Sequence, residues 1–290
     1  MNNTPFDDEL RVARRSPALR DIIIPPCPDL LVQLQAATEQ GDPDPGVLDR
    51  IASADVGMSA ALIRLANSPL HGLHAPVSTV GQALTVLGLD PSVQLLTGFL
   101  TRNALRTHSP LLAHFWDTST RRALACEHIA RQLYTMDPGL GYSFGLFCHV
   151  GIPVMMQGVR GYASTLTEAL ARKDRSFVAT ENANHRTDHA VVGAIVARTW
   201  HLPLAVAQAT RLHHDFSCLD DARIDPTVRH LVAMALVADH LLHQHEEPSA
   251  LKEWERHGQH CLAHLQVGEA EVDHWVDQLH PVFEAHALGL

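Results

Sequence analysis

The chain has 290 residues, 46% of them hydrophobic, which is enough for one large core or two smaller ones. Its formal net charge of −10 argues against direct nucleic-acid binding, which needs basic surface to displace counterions. The five cysteines form no C-x-x-C pair and no apolar run reaches a membrane span, so we expect a reduced, cytoplasmic protein without membrane attachment.

Helical spacing of apolar residues recurs along the whole chain without sustained alternation, which predicts an all-α fold. Residues 1–16 are polar and are expected to form a flexible N-terminus. In the first half, the apolar spacing and the capping residues Asp44, Asp55 and Ser78 predict helices. These lie at about 30–40, from Pro45, after Asp55, after Ser78 and from Pro91 to about 105.

The second half is predicted to contain one long helix at about 111–134, a turn at 137–139 and a buried apolar segment at 145–156. Pro153 is expected to bend or end the helix of that segment. Further helices are predicted at about 162–172, 188–200, 203–214 and 226–243. We expect a break near Thr107–Pro110, with a helical half at 17–107, a second half at 108–245 and a helical extension at 246–290.

Several short motifs occur in a fixed order along the chain. The first half contains Ile24–Pro28 (I-P-P-C-P), Ile51–Met58, the R-L-A-N-S run at Arg64–Ser68, Val77–Leu84 and Leu87-Gly88. The second half adds Trp116, Gly145–Ile152, Asp188–Gly193, Trp200–Pro203 and His213-His214. Together these motifs resemble the HDOD domain over about residues 22–245.

This resemblance implies an all-helical bundle related to the HD phosphohydrolases, with two helical halves packed as one unit. Members of the family are mostly regarded as noncatalytic and occur in bacterial signalling and regulatory proteins. They often occur near cyclic-nucleotide or chemotaxis-type systems, and for this protein we expect a link to a cyclic-di-GMP or two-component pathway. The resemblance therefore implies a noncatalytic regulator that acts by binding a regulatory or signalling protein.

The resemblance also points to a degenerate metal site. Enzymes of the wider HD group hold metal with a first histidine, a His-Asp pair and a later aspartate. The corresponding positions here are Thr118, His149-Val150 and Asp239, so two of the four ligands are missing. An isopropyl group cannot bind a cation, and we therefore expect no metal, no other cofactor and no hydrolase activity.

Two interpretations of the remaining residues stay open. His149 is either a core histidine hydrogen-bonded to Asp239 or a metal ligand. His189, His213 and His214 either make helix-terminal contacts or serve as extra ligands. An unorthodox site of His149, His189, His213 and Asp239 would suit Zn, Mn or Fe.

These alternatives correspond to two rival functions. One is a metal-dependent phosphohydrolase with a rearranged ligand set. The other is a nucleotide-binding sensor, in which Arg121 and Arg122 meet phosphate, although a solvated helix face is the simpler interpretation of these two residues. Nucleophilic catalysis is not indicated, because Cys148 and His149 are adjacent on a helix and point about 100° apart.

Four further family-motif residues have simpler structural interpretations. Asn67 and Ser68 are expected to end a helix before Pro69, with Asn67 in the left-handed conformation, or to form a polar contact between the two halves. Trp116 and Trp200 are expected to anchor the core.

Overall fold

The computed structural model describes residues 5–20, 22–39, 41, 43–106, 109–172, 174–246 and 252–287. Within these ranges it contains sixteen α-helices and no strand, which confirms the predicted all-α fold. The helices are α1 Pro5–Arg14, α2 Asp29–Thr38, α3 Pro45–Ser53, α4 Val56–Ala66, α5 Val80–Leu87, α6 Leu89–Ala104, α7 Phe115–Gln132, α8 Pro138–Phe147, α9 Gly151–Gly158, α10 Tyr162–Ala171, α11 Phe177–His185, α12 His189–Thr199, α13 Leu204–Leu212, α14 Pro226–Glu246, α15 Lys252–Leu265 and α16 Glu269–Ala287. Short 3-10 turns lie at Pro69–His71, Pro110–Leu112 and Phe216–Asp220.

Most helix starts are set by the capping residues that the sequence indicates. Asp44 and Asp55 each accept backbone N–H groups at the beginning of the following helix, as predicted. The predicted cap at Ser78 is wrong by one residue. Thr79 caps α5 through a reciprocal pair with Gln82, whose side-chain oxygen also accepts the Ser78 N–H.

Two predicted elements have different boundaries in the second half, and one observed helix was not predicted. The segment 137–139 is a helix start rather than a separate turn, because Asp137 accepts the Gly139 N–H and Pro138 is tolerated in the first turn. The predicted helix at 111–134 is shorter, since Pro110–Leu112 forms a 3-10 turn before α7. Helix α11 was not predicted, because its sequence is mostly polar and lacks an apolar stripe.

The apolar segment 145–156 is largely buried, as predicted, but it is divided between two helices. Pro153 lies in the first turn of α9, where a backbone N–H has no partner within the helix, so its missing N–H costs no hydrogen bond. It therefore neither ends nor bends a longer helix. By length and composition, Pro138–Gly158 also qualifies as a membrane-spanning candidate, contrary to the expectation that no run reaches this length. Since 72% of its most apolar 18-residue stretch is buried inside the protein, its apolar character is that of a core element.

The expected flexible N-terminus is corrected for residues 5–14, which form helix α1; residues 1–4 lie outside the described residues. One side of α1 buries Leu10. Its acidic residues pair with two helices of the same unit: Asp7 binds Arg198 of α12 at 2.9 Å, and Glu9 binds Arg211 of α13 at 3.1 Å. A polar segment is therefore held by one apolar contact and two ion pairs.

The chain divides into two compact units, made of the described residues within Met1–Pro26 and Arg106–Val272, and within Cys27–Leu105 and Asp273–Leu290. The break at 105/106 lies close to the predicted one, whose residues Thr107 and His108 are outside the described part of the chain. Two segments group differently from the predicted domains. The described residues of Met1–Pro26 belong with the second half of the chain, and those of Asp273–Leu290 belong with the first half, because the units are defined by contacts and not by sequence order. The packing of the two halves as one unit stays a prediction.

The motif residues of the second unit have a local structural role. Helix α4 ends at Ala66, as predicted, but Asn67 has φ −86° and is not left-handed. Its side-chain amide instead donates to the Val77 carbonyl at 2.9 Å and accepts the Val77 N–H at 2.8 Å. Asn67 therefore links the two ends of the loop between α4 and α5 by hydrogen bonds. The hydroxyl of Ser68 is buried within this loop. A contact of these residues between the halves stays a prediction.

Candidate metal centre

Four histidines from separate segments of the first unit come together. His149 follows α8, His189 begins α12, and His213 and His214 follow α13. One ring nitrogen from each histidine lies within 4.8 Å of the others. The other expected ligand positions, Thr118, Val150 and Asp239, do not belong to this group. His189 and His213 are buried, whereas His149 and His214 are partly exposed, so solvent reaches one side of the cluster.

Hydrogen bonds at Nδ1 fix the orientation of three of these rings. His189 Nδ1 lies 2.7 Å from a Glu181 carboxylate oxygen, and His213 Nδ1 lies 2.7 Å from the Thr210 carbonyl. His214 Nδ1 lies 3.1 Å and 3.2 Å from the two carboxylate oxygens of Glu253. An ionised carboxylate and a carbonyl only accept, so all three Nδ1 atoms carry the proton and donate it.

The Nε2 atoms of the same rings therefore point their lone pairs at one another. His189 Nε2 lies 3.2 Å from His213 Nε2 and 3.2 Å from His214 Nε2. Two neutral rings with protonated Nδ1 atoms cannot form a hydrogen bond across these gaps. A shared proton or a metal cation is required to make the contacts favourable.

The electrostatic setting differs among the rings. Burial and the nearby guanidinium of Arg122 lower the pKa of His149 well below its usual value. Burial and the two neighbouring histidines do the same to the pKa of His213. For His214 burial opposes ionisation, but the carboxylate of Glu253 outweighs it and raises the pKa. His149 and His213 are thus held neutral, which is the state that binds metal.

Glu181 is buried with none of its side chain exposed, yet both of its oxygens have partners. One oxygen accepts the Tyr162 hydroxyl at 2.5 Å, and the other accepts the His189 ring N–H and, at 3.3 Å, the His189 backbone N–H. Glu181 and Glu253 were missed by sequence reasoning. Glu181 lies in the unpredicted helix α11, and Glu253 lies in the predicted extension, where no local pattern distinguishes it from the other acidic residues.

Asp239 does not bond His149, contrary to the expected pairing. Its carboxylate accepts the Nε–H of Arg122 at 2.6 Å, and this guanidinium is only 10% exposed. Arg122 is therefore not on a solvated helix face, also contrary to expectation, because a carboxylate 117 residues away supplies its partner. Arg121, one residue earlier, pairs with Asp117 at 3.2 Å. The ion pair with Arg122 neutralises the Asp239 carboxylate, which would otherwise attract a metal cation.

The other expected ligand positions lie outside the histidine group. Val150 is fully buried, and Thr118 is half-buried on α7. The core assignment of the two tryptophans is confirmed. Trp116 is buried, and Trp200 is buried with its indole N–H donating to the Pro25 carbonyl at 2.8 Å.

Glycines allow the helices that carry the site to approach closely. A Cβ on Gly151 would collide with the carbonyl oxygen of His189 and lie 2.8 Å from the Gly193 nitrogen. A Cβ on Gly145 would lie 2.8 Å from the Arg122 carbonyl. Gly151 therefore sets the distance between His149 and His189, and Gly145 places α8 against the backbone of Arg122.

Cys148 lies beside the cluster but does not form a nucleophilic pair with His149. The expected divergence of the two side chains is wrong, because Cys148 Sγ lies 3.2 Å from His149 Nδ1. Burial, however, raises the pKa of the thiol to about 12, which keeps it neutral. Burial likewise raises the pKa of Cys27 and Cys218 to about 11, and that of Cys261 to about 12.

We expect the folded protein to resist alkylation by iodoacetamide at pH 8, because only the thiolate reacts and these thiols ionise at higher pH. Mass spectrometry should show Cys27 reacting first, since it alone among the five is partly exposed. The same protein in denaturant should be modified at all five cysteines. Fast modification of Cys148 in the folded state would contradict the assignment of a buried, neutral thiol.

Comparisons with known proteins agree with this architecture. The HDOD domain family model matches residues 24–216, more than half of the chain. The protein therefore belongs to the HDOD family, as its motifs suggest. The family match ends before Asp239 and before α15.

Solved structures share the fold. An HDOD domain protein of unknown function from Geobacter sulfurreducens is 19% identical, with 98% of each chain covered and a TM-score of 0.73. A candidate phosphohydrolase from Shewanella amazonensis SB2B is 20% identical over 95% of this chain and 98% of its own, also with a TM-score of 0.73. A candidate signal-transduction protein from Marinobacter aquaeolei VT8 is 18% identical over 99% of this chain and 61% of its own, with a TM-score of 0.71.

A curated relative is also similar in sequence. It is an uncharacterised protein of Treponema pallidum (strain Nichols), 25% identical over 195 residues. The match covers 66% of this chain but only 38% of the relative. The chain therefore corresponds to well under half of that protein's length.

Proposed function

We propose that this protein is a non-hydrolytic bacterial regulator whose four-histidine cluster binds one transition-metal ion and whose output is the binding of a signalling protein. The observation that carries the metal proposal is the set of Nε2 atoms of His189, His213 and His214. His189 Nε2 lies 3.2 Å from each of the other two, while the protons of all three rings are held at Nδ1. The earlier expectation of no cofactor stays untested, and this geometry is the reason to propose the opposite.

The donor set fits a tetrahedral cation. Zinc–imidazole bonds of about 2.0–2.1 Å place neighbouring nitrogens about 3.3–3.4 Å apart, close to the two 3.2 Å separations. Four imidazoles favour Zn, Cu, Ni or Fe over Mg and Ca, which prefer oxygen. The acceptors at Nδ1 supply the outer hydrogen bonds that such ligands need.

We propose that the protein does not hydrolyse phosphoesters, because it lacks the free carboxylates that such a reaction uses. HD enzymes use two aspartates, but Val150 replaces one and Arg122 neutralises Asp239. A bound metal would supply Lewis acidity, yet these residues offer no free carboxylate near it to position an attacking water. The proposed partner role in a signalling pathway of the cytoplasm is supported by the family and by the signal-transduction neighbour.

Metal titration of the full chain tests the proposal. After treatment with a chelator, we expect the protein to take up about one Zn²⁺ or Co²⁺ per chain, measured by elemental analysis and competition with a chromophoric chelator. His189→Ala and His213→Ala should each lower the affinity more than about 100-fold, because the loss of a ligand exceeds the loss of an outer hydrogen bond. The control His74→Ala changes an exposed histidine of the other unit and should bind normally. A wild-type chain that takes up no metal overturns the metal proposal.

A metal-dependent phosphohydrolase with a rearranged ligand set is the second candidate. It is favoured by the partial exposure of His149 and His214, which leaves room for an exchangeable position on a bound metal. Incubation of the metal-loaded protein with a panel of phosphodiesters separates the two. We expect no turnover, and turnover that His149→Ala abolishes would establish the second candidate.

A further inference from the structure

Helix α15 packs against other elements of the first unit with one polar face. Every third or fourth residue on this face meets a partner from elsewhere in the unit. His257 stacks on Phe216 with ring centroids 4.6 Å apart, and His260 Nε2 lies 3.2 Å from a carboxylate oxygen of Asp220. Apolar residues on the adjoining face, among them Leu262 and Leu265, are buried.

Glu253 stands at the beginning of this face, at the end nearest the histidine cluster. Its two carboxylate oxygens accept the Nδ1–H of His214, whose own side chain is 12% exposed. The next residue, Trp254, stacks on His240 of α14 at a centroid distance of 3.8 Å and an interplanar angle of 5°. The stacking fixes the start of α15 and therefore the position of Glu253.

The three outer acceptors of the cluster come from three different helices. Glu181 lies on α11, Thr210 lies on α13, and Glu253 lies on α15. The first two lie inside the residues that match the HDOD family, whereas Glu253 lies 37 residues beyond the end of that match (253 − 216). One of the three outer acceptors of the cluster thus comes from a helix outside the residues that match the family model.

We infer that Glu253 is a positioning residue for the metal site and that it makes the docking of α15 dependent on metal. This inference rests on the proposed function. A cation on His214 Nε2 withdraws electron density from the ring, which makes Nδ1–H a stronger donor to Glu253. Linkage between the two events is reciprocal. If the contact with Glu253 makes the free energy of metal binding more favourable by a given amount, bound metal stabilises the docked position of α15 by the same amount. Helix α15 is then the segment through which a partner would sense the metal state.

Two measurements on the full chain test this inference with Zn²⁺ as the probe. The variants are Glu253→Gln, which keeps the size but removes the charge, and Glu255→Gln, an exposed position on the same helix. Glu253→Gln should weaken Zn²⁺ binding about 10–100-fold at unchanged stoichiometry, whereas Glu255→Gln should not. Zn²⁺ should slow hydrogen exchange of the amides in 252–265 in the wild type and in Glu255→Gln, and much less in Glu253→Gln.

The outcomes separate this inference from the proposed function. If the wild type binds one Zn²⁺ but Glu253→Gln binds it equally well, the positioning role is wrong while the metal site stands. If Zn²⁺ binds without changing exchange in α15, the coupling is wrong. If the wild type takes up no metal, both proposals are wrong. Circular dichroism of the variants checks that lost affinity is not lost folding.

Discussion

Replacing Gly151 by alanine is expected to lower the free energy of unfolding by about 3 kcal/mol, at the upper end of the range for overpacking a core. The new Cβ would collide with the His189 carbonyl oxygen and press on the Gly193 nitrogen. Both are backbone atoms at the start of α12, so no side-chain rotation relieves the contact. Helix α9 must move away from α12, and His149 must move with it.

Urea denaturation followed by circular dichroism measures this loss, with a matched control at Gly81. That glycine is exposed in α5, and nothing lies within 4 Å of a Cβ added there. Gly81→Ala should raise stability by about 0.5–1 kcal/mol, because alanine costs less backbone entropy in a helix. A Gly151→Ala protein as stable as the wild type would refute the close approach of α9 and α12. The same variant should also bind Zn²⁺ more weakly.

Replacing Glu181 by leucine is expected to destabilise the protein by about 3–5 kcal/mol. The change leaves the Tyr162 hydroxyl, the His189 ring N–H and the His189 backbone N–H without the acceptor that each has now. These groups are shielded from water, and an unpaired buried donor costs about 1–3 kcal/mol. Glu181→Gln should cost less, because its carbonyl oxygen still accepts one of the three donors.

Thermal unfolding of both variants in metal-free buffer measures the structural part of this effect. Tyr162→Phe provides a partial test, since it removes one donor and should cost about 1–2 kcal/mol. In the presence of Zn²⁺, Glu181→Gln should also show weaker binding, because His189 loses the carboxylate that orients it. If Glu181→Leu unfolds at the wild-type temperature, the buried chain of Tyr162, Glu181 and His189 is not formed.

Local sequence rules were sufficient for most helices. The predicted caps Asp44 and Asp55 begin α3 and α4 through bonds to backbone N–H groups two or three residues away. Such contacts depend only on neighbouring residues and can be predicted without a fold. The same rules failed at α1 and α11, whose polar sequences are helical because of ion pairs and buried hydrogen bonds to other helices.

The amino-acid sequence by itself determined the family, the all-α class and the loss of the second residue of the His-Asp pair at Val150. It also identified His149, His189, His213 and His214 as residues of interest. Only the tertiary structure decided their partners. The carboxylates that accept from His189 and His214, and the Arg122 partner of Asp239, lie between 8 and 117 residues away in sequence. The periodicity of apolar residues predicts helices, but it does not show which distant side chains the fold brings within hydrogen-bonding distance.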